Sequence, residues 1–144
     1  MFDTLLPVVS IIVAVVAFLW GVKSYRDQMN AQLFLEFTKR FEEVMQSFPK
    51  NLWSTRLDIE GKPPPKSKAL SLSVLRYLNL CSEEYYLRQK GWLYKETWKI
   101  WERELKRTLQ TPLFRREWKN LANEFESYPE FKEYVDNAQK AVEL

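Results

Sequence analysis

The stretch LLPVVSIIVAVVAFLWGV, residues 5–22, contains eighteen residues and no charged side chain. A helix rises about 1.5 Å per residue, so this stretch would cover roughly 27 Å, close to the hydrocarbon thickness of a bilayer. A signal peptide would carry a basic start and a small-residue cleavage site, whereas Asp3 is the only charge before the stretch. We therefore expect a retained transmembrane helix rather than a signal peptide or a buried core helix.

The two flanks of this stretch differ in charge. No Lys or Arg precedes it, whereas Lys23 and Arg26 follow it at once. The positive-inside rule then predicts an N-terminus outside the membrane and a cytoplasmic C-terminal part. The single cysteine, Cys81, agrees with a reducing compartment because it cannot form an internal disulfide, and we expect it to be a small buried apolar residue.

The rest of the sequence predicts an all-α fold. Residues 1–48 are expected to form the transmembrane helix and a continuous stalk helix, and residues 49–68 a proline-rich linker. Residues 69–144 then form a small cytosolic domain of about four helices. Within the linker, LWSTRLDI (residues 52–59) has the composition of a short extended segment.

Start and stop signals divide the predicted domain. Gly91 is a natural end for its first helix, the next runs from about Lys95 to Leu109, and Pro112 and Pro129 each begin another. The residues predicted to face inward are Val74, Leu78, Cys81, Tyr85, Trp98, Trp101, Leu105, Leu109, Phe114, Trp118, Leu121, Phe125, Phe131, Tyr134 or Val135, and Ala138. Leu75 and Tyr86 are expected to widen the inward face of the first of these helices.

A row of apolar residues also follows the transmembrane stretch, at alternating spacings of three and four. It consists of Phe34, Phe37, Phe41, Val44 and Phe48. Such a seam suits packing of helix on helix between subunits, which predicts an oligomer. It suits equally well a helix that covers the chain's own domain, and the sequence leaves the two interpretations open.

The composition argues against an enzyme. The sequence has no histidine, one cysteine and three glycines. Ordinary zinc sites, His-dependent nucleophile systems and phosphate-cradling glycine loops are therefore excluded, and we expect no metal and no cofactor. Glu83 and Glu84 are neighbours on a helix and diverge by about 100°, so one should face solvent or pair with Arg88 rather than share acid–base work.

What remains is a binding function, and the clearest candidate is a basic stripe. Lys95, Lys99, Arg103 and Arg107 stand four residues apart and line one face of a helix. Like charges at this spacing destabilise a helix by about 0.2–0.5 kcal/mol per pair, a cost that an anion site would justify. The other candidate ligand-binding residues are Arg115, Arg116, Trp92 and Tyr94. The two aromatic residues suit stacking on bases.

The alternative for the basic stripe is a solvated face. Glu96–Lys99 and Glu102–Lys106 are helix-spaced pairs of opposite charge. Residues 50–120 carry sixteen basic and eight acidic side chains, and residues 121–144 carry two basic and six acidic ones. This distribution indicates either a basic surface with a role of its own or a basic surface that meets the acidic C-terminal part of the chain.

The strings RYLNLCSEEYYLRQKG, PLFRREW and YPEFKEYV, within residues 76–135, resemble a group of short bacterial single-pass membrane proteins. The whole plan is similar to the membrane-anchored cyclic-oligoadenylate receptors that accompany type III CRISPR systems. The resemblance implies an antiviral effector in the bacterial inner membrane, tetrameric, whose cytosolic domains bind cyclic tetra-adenylate and perturb the membrane part. It implies no long nucleic acid as partner and identifies no site residue.

Two other functions stay open on the sequence. One is a structural scaffold or assembly protein whose aromatic and basic helices contact another protein. The other is an adaptor that applies its positive segment to anionic lipid headgroups.

Overall fold

The computed structural model describes residues 2–50 and 52–140, with side chains from Leu6 onward. These residues form helices and loops and contain no strand, which confirms the all-α fold. The helices are α1 (Phe2–Ser47), α2 (Lys68–Gln89), α3 (Lys95–Leu109), α4 (Pro112–Leu121) and α5 (Pro129–Lys140). Short 3₁₀ turns cover Trp53–Leu57 and Ala122–Phe125. Residues 141–144 of the predicted domain lie outside the described residues.

The chain divides into two compact units, Met1–Leu35 and Glu36–Leu144. In the first unit, the apolar side chains from Leu6 to Val22 are all exposed, and α1 is long and apolar enough to cross a membrane. An N-terminal signal sequence can also be long and apolar enough to pass the same test. Pro7 is accommodated inside α1 close to its beginning, and the Ser10 hydroxyl donates a hydrogen bond to the Leu6 carbonyl at 2.9 Å.

The second unit begins inside the predicted stalk, because the end of α1 belongs to its core. Phe48 is buried, and Phe41 and Val44 pack against the same core. Phe37 is also buried, with its ring centroid 5.5 Å from that of Trp101 in α3. For these four residues, the apolar row therefore covers the chain's own domain and is not a free seam between subunits.

The helix ends explain why α2 to α5 begin and end where they do. Ser67 caps α2 by accepting a hydrogen bond from the Leu70 amide at 3.1 Å. At the other end Gly91 has a φ of 70°, and the amides of Gly91 and Trp92 donate to the carbonyls of Arg88 and Leu87. This is a Schellman motif, which confirms Gly91 as the predicted stop signal. The starts predicted at Lys95, Pro112 and Pro129 are confirmed.

The core lies between α2, α3, α4 and α5. Most residues predicted to face inward are buried, and the half-buried ones at the margin of the core are Leu75, Tyr85, Trp101, Leu121 and Tyr134. The inward prediction for Tyr86 is wrong, because its side chain is exposed beside Trp92. Tyr85 is the centre of an aromatic cluster. Its ring lies 4.9 Å from that of Tyr134 and 5.9 Å from those of Trp98 and Phe131. These tilted ring pairs join α2 to α3 and α5.

The extended segment predicted at residues 52–59 is wrong, because Trp53–Leu57 forms a 3₁₀ turn. The reason is the burial of Arg56. Its Nη1 donates to Glu104 Oε1 of α3 at 2.8 Å, and its guanidinium carbon lies 5.4 Å from the centroid of the Phe41 ring. These contacts hold the turn against the core, while the proline-rich residues 62–67 form neither helix nor strand.

Candidate anion-binding surfaces

The basic stripe lies on the outer face of α3. Its four side chains, Lys95, Lys99, Arg103 and Arg107, are exposed, since Leu105 and the other inward residues of α3 occupy the opposite face. Among the described residues, no carboxylate forms an ion pair with any of the four. The stripe is therefore a row of cations, one per helical turn, that the fold itself does not neutralise.

One of the two salt pairs predicted for a solvated face is formed. Lys106 Nζ lies 2.9 Å from Glu102 Oε1. Lys99 has no such partner within the part of the chain that is described. Because Lys106 is not a member of the basic stripe, the pair leaves the charge of the stripe unchanged.

The surface around the basic stripe is partly apolar. From Lys95 to Arg107 the stripe covers about 18 Å at 1.5 Å per residue. Ile100, beside it on α3, is 64% exposed, and Trp92 before the helix is 51% exposed. The indole of Trp92 packs edge-on against Tyr86, with ring centroids 6.2 Å apart. Such a surface suits an extended anionic partner.

Tyr94 occupies the N-cap position of α3 and is half-buried. It therefore directly precedes Lys95 at the start of the basic stripe. Its side chain makes no capping hydrogen bond to α3.

The other two predicted cations lie in a different place. Arg115 and Arg116 of α4 line a groove of about 620 Å³ between α4 and α5. The remaining lining residues of this α4–α5 groove are Pro112, Lys119, Asp136, Gln139 and Lys140. None of the lining residues belongs to α3, so the structure does not bring the basic stripe and these arginines into one cavity.

Arg116 has a role in holding the fold together. Its Nε and Nη2 donate to Glu117 Oε1 at 2.9 and 2.7 Å, and its Nη1 donates to the carbonyl of Pro64. Glu117 is fully buried and also accepts a hydrogen bond from the Ser71 hydroxyl at 2.6 Å. Arg116 thus neutralises a buried carboxylate and fastens the proline-rich segment to α4.

Lys140 and Gln139 are candidate residues that sequence reasoning missed. They lie on α5, more than twenty positions after Arg115 in the sequence, and face the same groove only because α4 and α5 pack side by side. Asp136, which also lines the groove, accepts a hydrogen bond from Trp118 Nε1 at 2.7 Å. No local sequence signal reports such an arrangement.

The glutamate pair of α2 is divided between two environments. Glu83 accepts hydrogen bonds from both terminal nitrogens of Arg40, so its partner is Arg40 and not Arg88. Glu84 is only 8% exposed, and burial, together with the nearby Glu104, raises its pKa to about 8. Arg40 acts in the opposite direction. Glu84 is therefore a buried acid that holds its proton at neutral pH.

The described residues contain no group of His, Cys, Asp or Glu side chains that could hold a metal ion. In comparisons of the chain with protein-family models, curated proteins and solved structures, nothing matches.

Proposed function

We propose that this protein is a membrane-anchored, non-enzymatic receptor whose helical domain binds a phosphate-bearing ligand on the basic stripe of α3. The observation that carries the proposal is the row of four exposed cations without acidic partners in the described chain. Phosphate oxygens supply the negative charge that such a row lacks, and binding would relieve the repulsion between successive turns.

The resemblance to CRISPR-associated receptors favours a cyclic oligoadenylate as the ligand, in particular cyclic tetra-adenylate. A cyclic ligand with repeated phosphates suits a symmetric homo-oligomer, since each subunit offers one copy of the same stripe. The antiviral output would come from the membrane part. This requires the ligand to bind one arrangement of the oligomer more tightly than another.

The anchor in this proposal is the apolar part of α1, crossing the inner membrane of a bacterium once. Lys23 and Arg26 follow the apolar stretch and favour a cytoplasmic position for the domain. A reporter fused after Leu144 tests the topology. A cytoplasmic reporter should be active there, and an active periplasmic phosphatase would contradict the proposed orientation.

Calorimetry on the full-length protein in discs of zwitterionic lipid tests the ligand. The wild type should bind cyclic tetra-adenylate, and Lys99→Glu with Arg103→Glu should weaken binding roughly tenfold to a hundredfold, as expected for lost charged hydrogen bonds. Binding should also weaken as salt is added. The matched control is Lys62→Glu with Lys66→Glu, which makes the same charge change at exposed positions outside α3.

The control should bind as the wild type does. Equal affinity of the α3 double variant and the wild type would remove the basic stripe as the site. Absence of any binding by the wild type would remove the cyclic oligoadenylate as the ligand.

A second candidate function is contact with anionic lipid or with a protein partner in an assembly. The observation that favours it is the exposure of the apolar side chains of Ile100 and Trp92 beside the basic stripe. Anionic vesicles separate this function from the first. Lipid contact predicts binding to vesicles that contain phosphatidylglycerol, lost in the same α3 double variant, without any response to cyclic tetra-adenylate.

A further inference from the structure

A second cationic feature of the domain is a groove between α4 and α5. The α4–α5 groove has a volume of about 620 Å³. Small-molecule sites in proteins are concave and typically measure about 300–1,000 Å³. The groove therefore has the dimensions of a pocket for a small molecule.

The charges around the groove are unequal in number. Among the described residues, its lining carries four cationic side chains, those of Arg115, Arg116, Lys119 and Lys140, and the carboxylate of Asp136. Arg116 is compensated by the buried Glu117, so the positive charge of the groove comes mainly from the two lysines. Asp136 already accepts the hydrogen bond of the Trp118 indole. The groove is thus a region of positive potential in which an anion would be stabilised.

The two lysines are the members of this set that remain available to a ligand. Lys119 and Lys140 are exposed, and neither forms an ion pair with a described residue. Arg116, in contrast, is fixed by Glu117 and by the Pro64 carbonyl. Its charge is therefore held in position at the wall of the groove, while the lysine ammonium groups can reach a ligand.

The walls of the groove are fastened to each other. Trp118 Nε1 of α4 donates to Asp136 Oδ1 of α5 at 2.7 Å, and Arg115 Nη2 of α4 donates to the Gln139 carbonyl of α5 at 3.4 Å. A groove whose walls are already fixed loses little conformational entropy when it binds a ligand.

The lining also indicates which part of a ligand is recognised. None of the described residues that line the groove is aromatic, so a nucleobase would find no stacking partner among them. Lysines act as point charges toward phosphate. We propose that the α4–α5 groove binds the phosphate or pyrophosphate group of a small molecule, with Lys119 and Lys140 as the residues that contact it. Such a site is independent of the basic stripe and of its ligand.

The test is calorimetric titration of the full-length protein, in discs of zwitterionic lipid at low salt, with inorganic pyrophosphate. The wild type should bind, and Lys119→Glu with Lys140→Glu should weaken binding roughly tenfold or more. The control variant Lys39→Glu with Lys50→Glu makes the same charge change at exposed positions that line neither the groove nor the basic stripe, and it should retain pyrophosphate affinity within about twofold. Lys119→Gln with Lys140→Gln should give an intermediate affinity and unchanged thermal melting.

A parallel titration in discs that contain phosphatidylglycerol separates a free phosphate from a lipid headgroup. Equal pyrophosphate affinity in both kinds of disc supports a small-molecule site. Wild-type affinity in the Lys119→Glu and Lys140→Glu variant would overturn the assignment, as would the absence of pyrophosphate binding by the wild type. If pyrophosphate binds in the zwitterionic discs but not in the discs that contain phosphatidylglycerol, the lipid headgroup occupies the groove. That result would overturn the assignment of the groove to a small molecule. If cyclic tetra-adenylate fails to bind the basic stripe, the pyrophosphate titrations still test the groove, because they use a different probe and different variants.

Discussion

Arg40 near the end of α1 donates two hydrogen bonds to the carboxylate of Glu83 in α2, from Nη1 to Oε2 and from Nη2 to Oε1, the second at 2.8 Å. This two-bonded geometry fixes the direction of both side chains. Within the Glu36–Leu144 unit it joins the last turns of α1 to α2, beside the ring contact of Phe37 with Trp101.

The Arg40–Glu83 pair should contribute modestly to stability. Its side chains are 35% and 48% exposed, so water screens much of their attraction. A double-mutant cycle with Arg40→Ala and Glu83→Ala should give a coupling energy of about 0.5–1 kcal/mol, at the upper end for exposed pairs because two bonds are formed. Thermal unfolding of the four proteins measures it, and additive effects of the two substitutions would contradict the prediction.

The buried acid Glu84 should make stability depend on pH. Its pKa is about 8 in the folded protein against an ordinary value of 4.5, so over this range the folded state binds more protons than the unfolded state. The contribution of Glu84 to stability is therefore fully present below pH 4.5 and is lost as pH rises toward 8. The charged groups that act on Glu84 are Glu104, Glu83 and Arg40.

Glu84→Gln should remove this dependence. The stability of the variant relative to the wild type should increase between pH 4.5 and about 8, by up to roughly 1.4 kcal/mol per pH unit. Denaturant unfolding at several pH values measures the difference, in which contributions of other groups cancel. Parallel pH profiles of the two proteins would contradict the burial of a protonated Glu84.

The end of α1 should behave as core. Phe48→Ala should destabilise the domain by about 3–5 kcal/mol, the range for truncation of a buried phenylalanine. Leu35→Ala, at an exposed position of the same helix, should change stability by less than about 0.5 kcal/mol. Denaturant unfolding compares the two. A Phe48→Ala protein that unfolds like the wild type but changes its oligomeric state would restore the interpretation of this row as a subunit seam.

The end of α2 should require Gly91. Its φ of 70° is strained for residues with a Cβ, and Gly91→Ala should cost about 1 kcal/mol. Gly91→Asn should cost less, because asparagine tolerates this conformation. The space around a Cβ is open at this position, so a clash would not contribute to the difference. Equal melting temperatures for the two variants would contradict a conformational origin.

Features that depend on neighbours in sequence were predictable, whereas features that depend on packing were not. Pro112 and Pro129 begin helices because their fixed φ suits a first turn, and this needs no tertiary information. The turn around Arg56 depends on Glu104, which is 48 positions away. The local composition therefore predicted an extended segment where the chain forms a 3₁₀ turn. For the same reason the bond from Arg116 to Pro64 could not be foreseen, nor the approach of Lys140 to α4.

The apolar row of α1 shows a different limit of prediction from sequence. Spacings of three and four place apolar side chains on one face, whatever covers that face. The pattern therefore predicted the helix and, from Phe37 onward, its buried side, whereas Phe34 is exposed. Only the structure assigned Phe41 and Phe48 to the core of the same chain.

Cys81, the single thiol of the sequence, is 2% exposed in the middle of α2, and burial raises its pKa. A thiol that is buried and protonated reacts slowly with alkylating reagents. The chain thus carries its own reporter of domain opening, since a maleimide can label it only when the packing around α2 has come apart. Labelling rates measured in native membranes would give the opening equilibrium of the domain without purification and without any engineered probe.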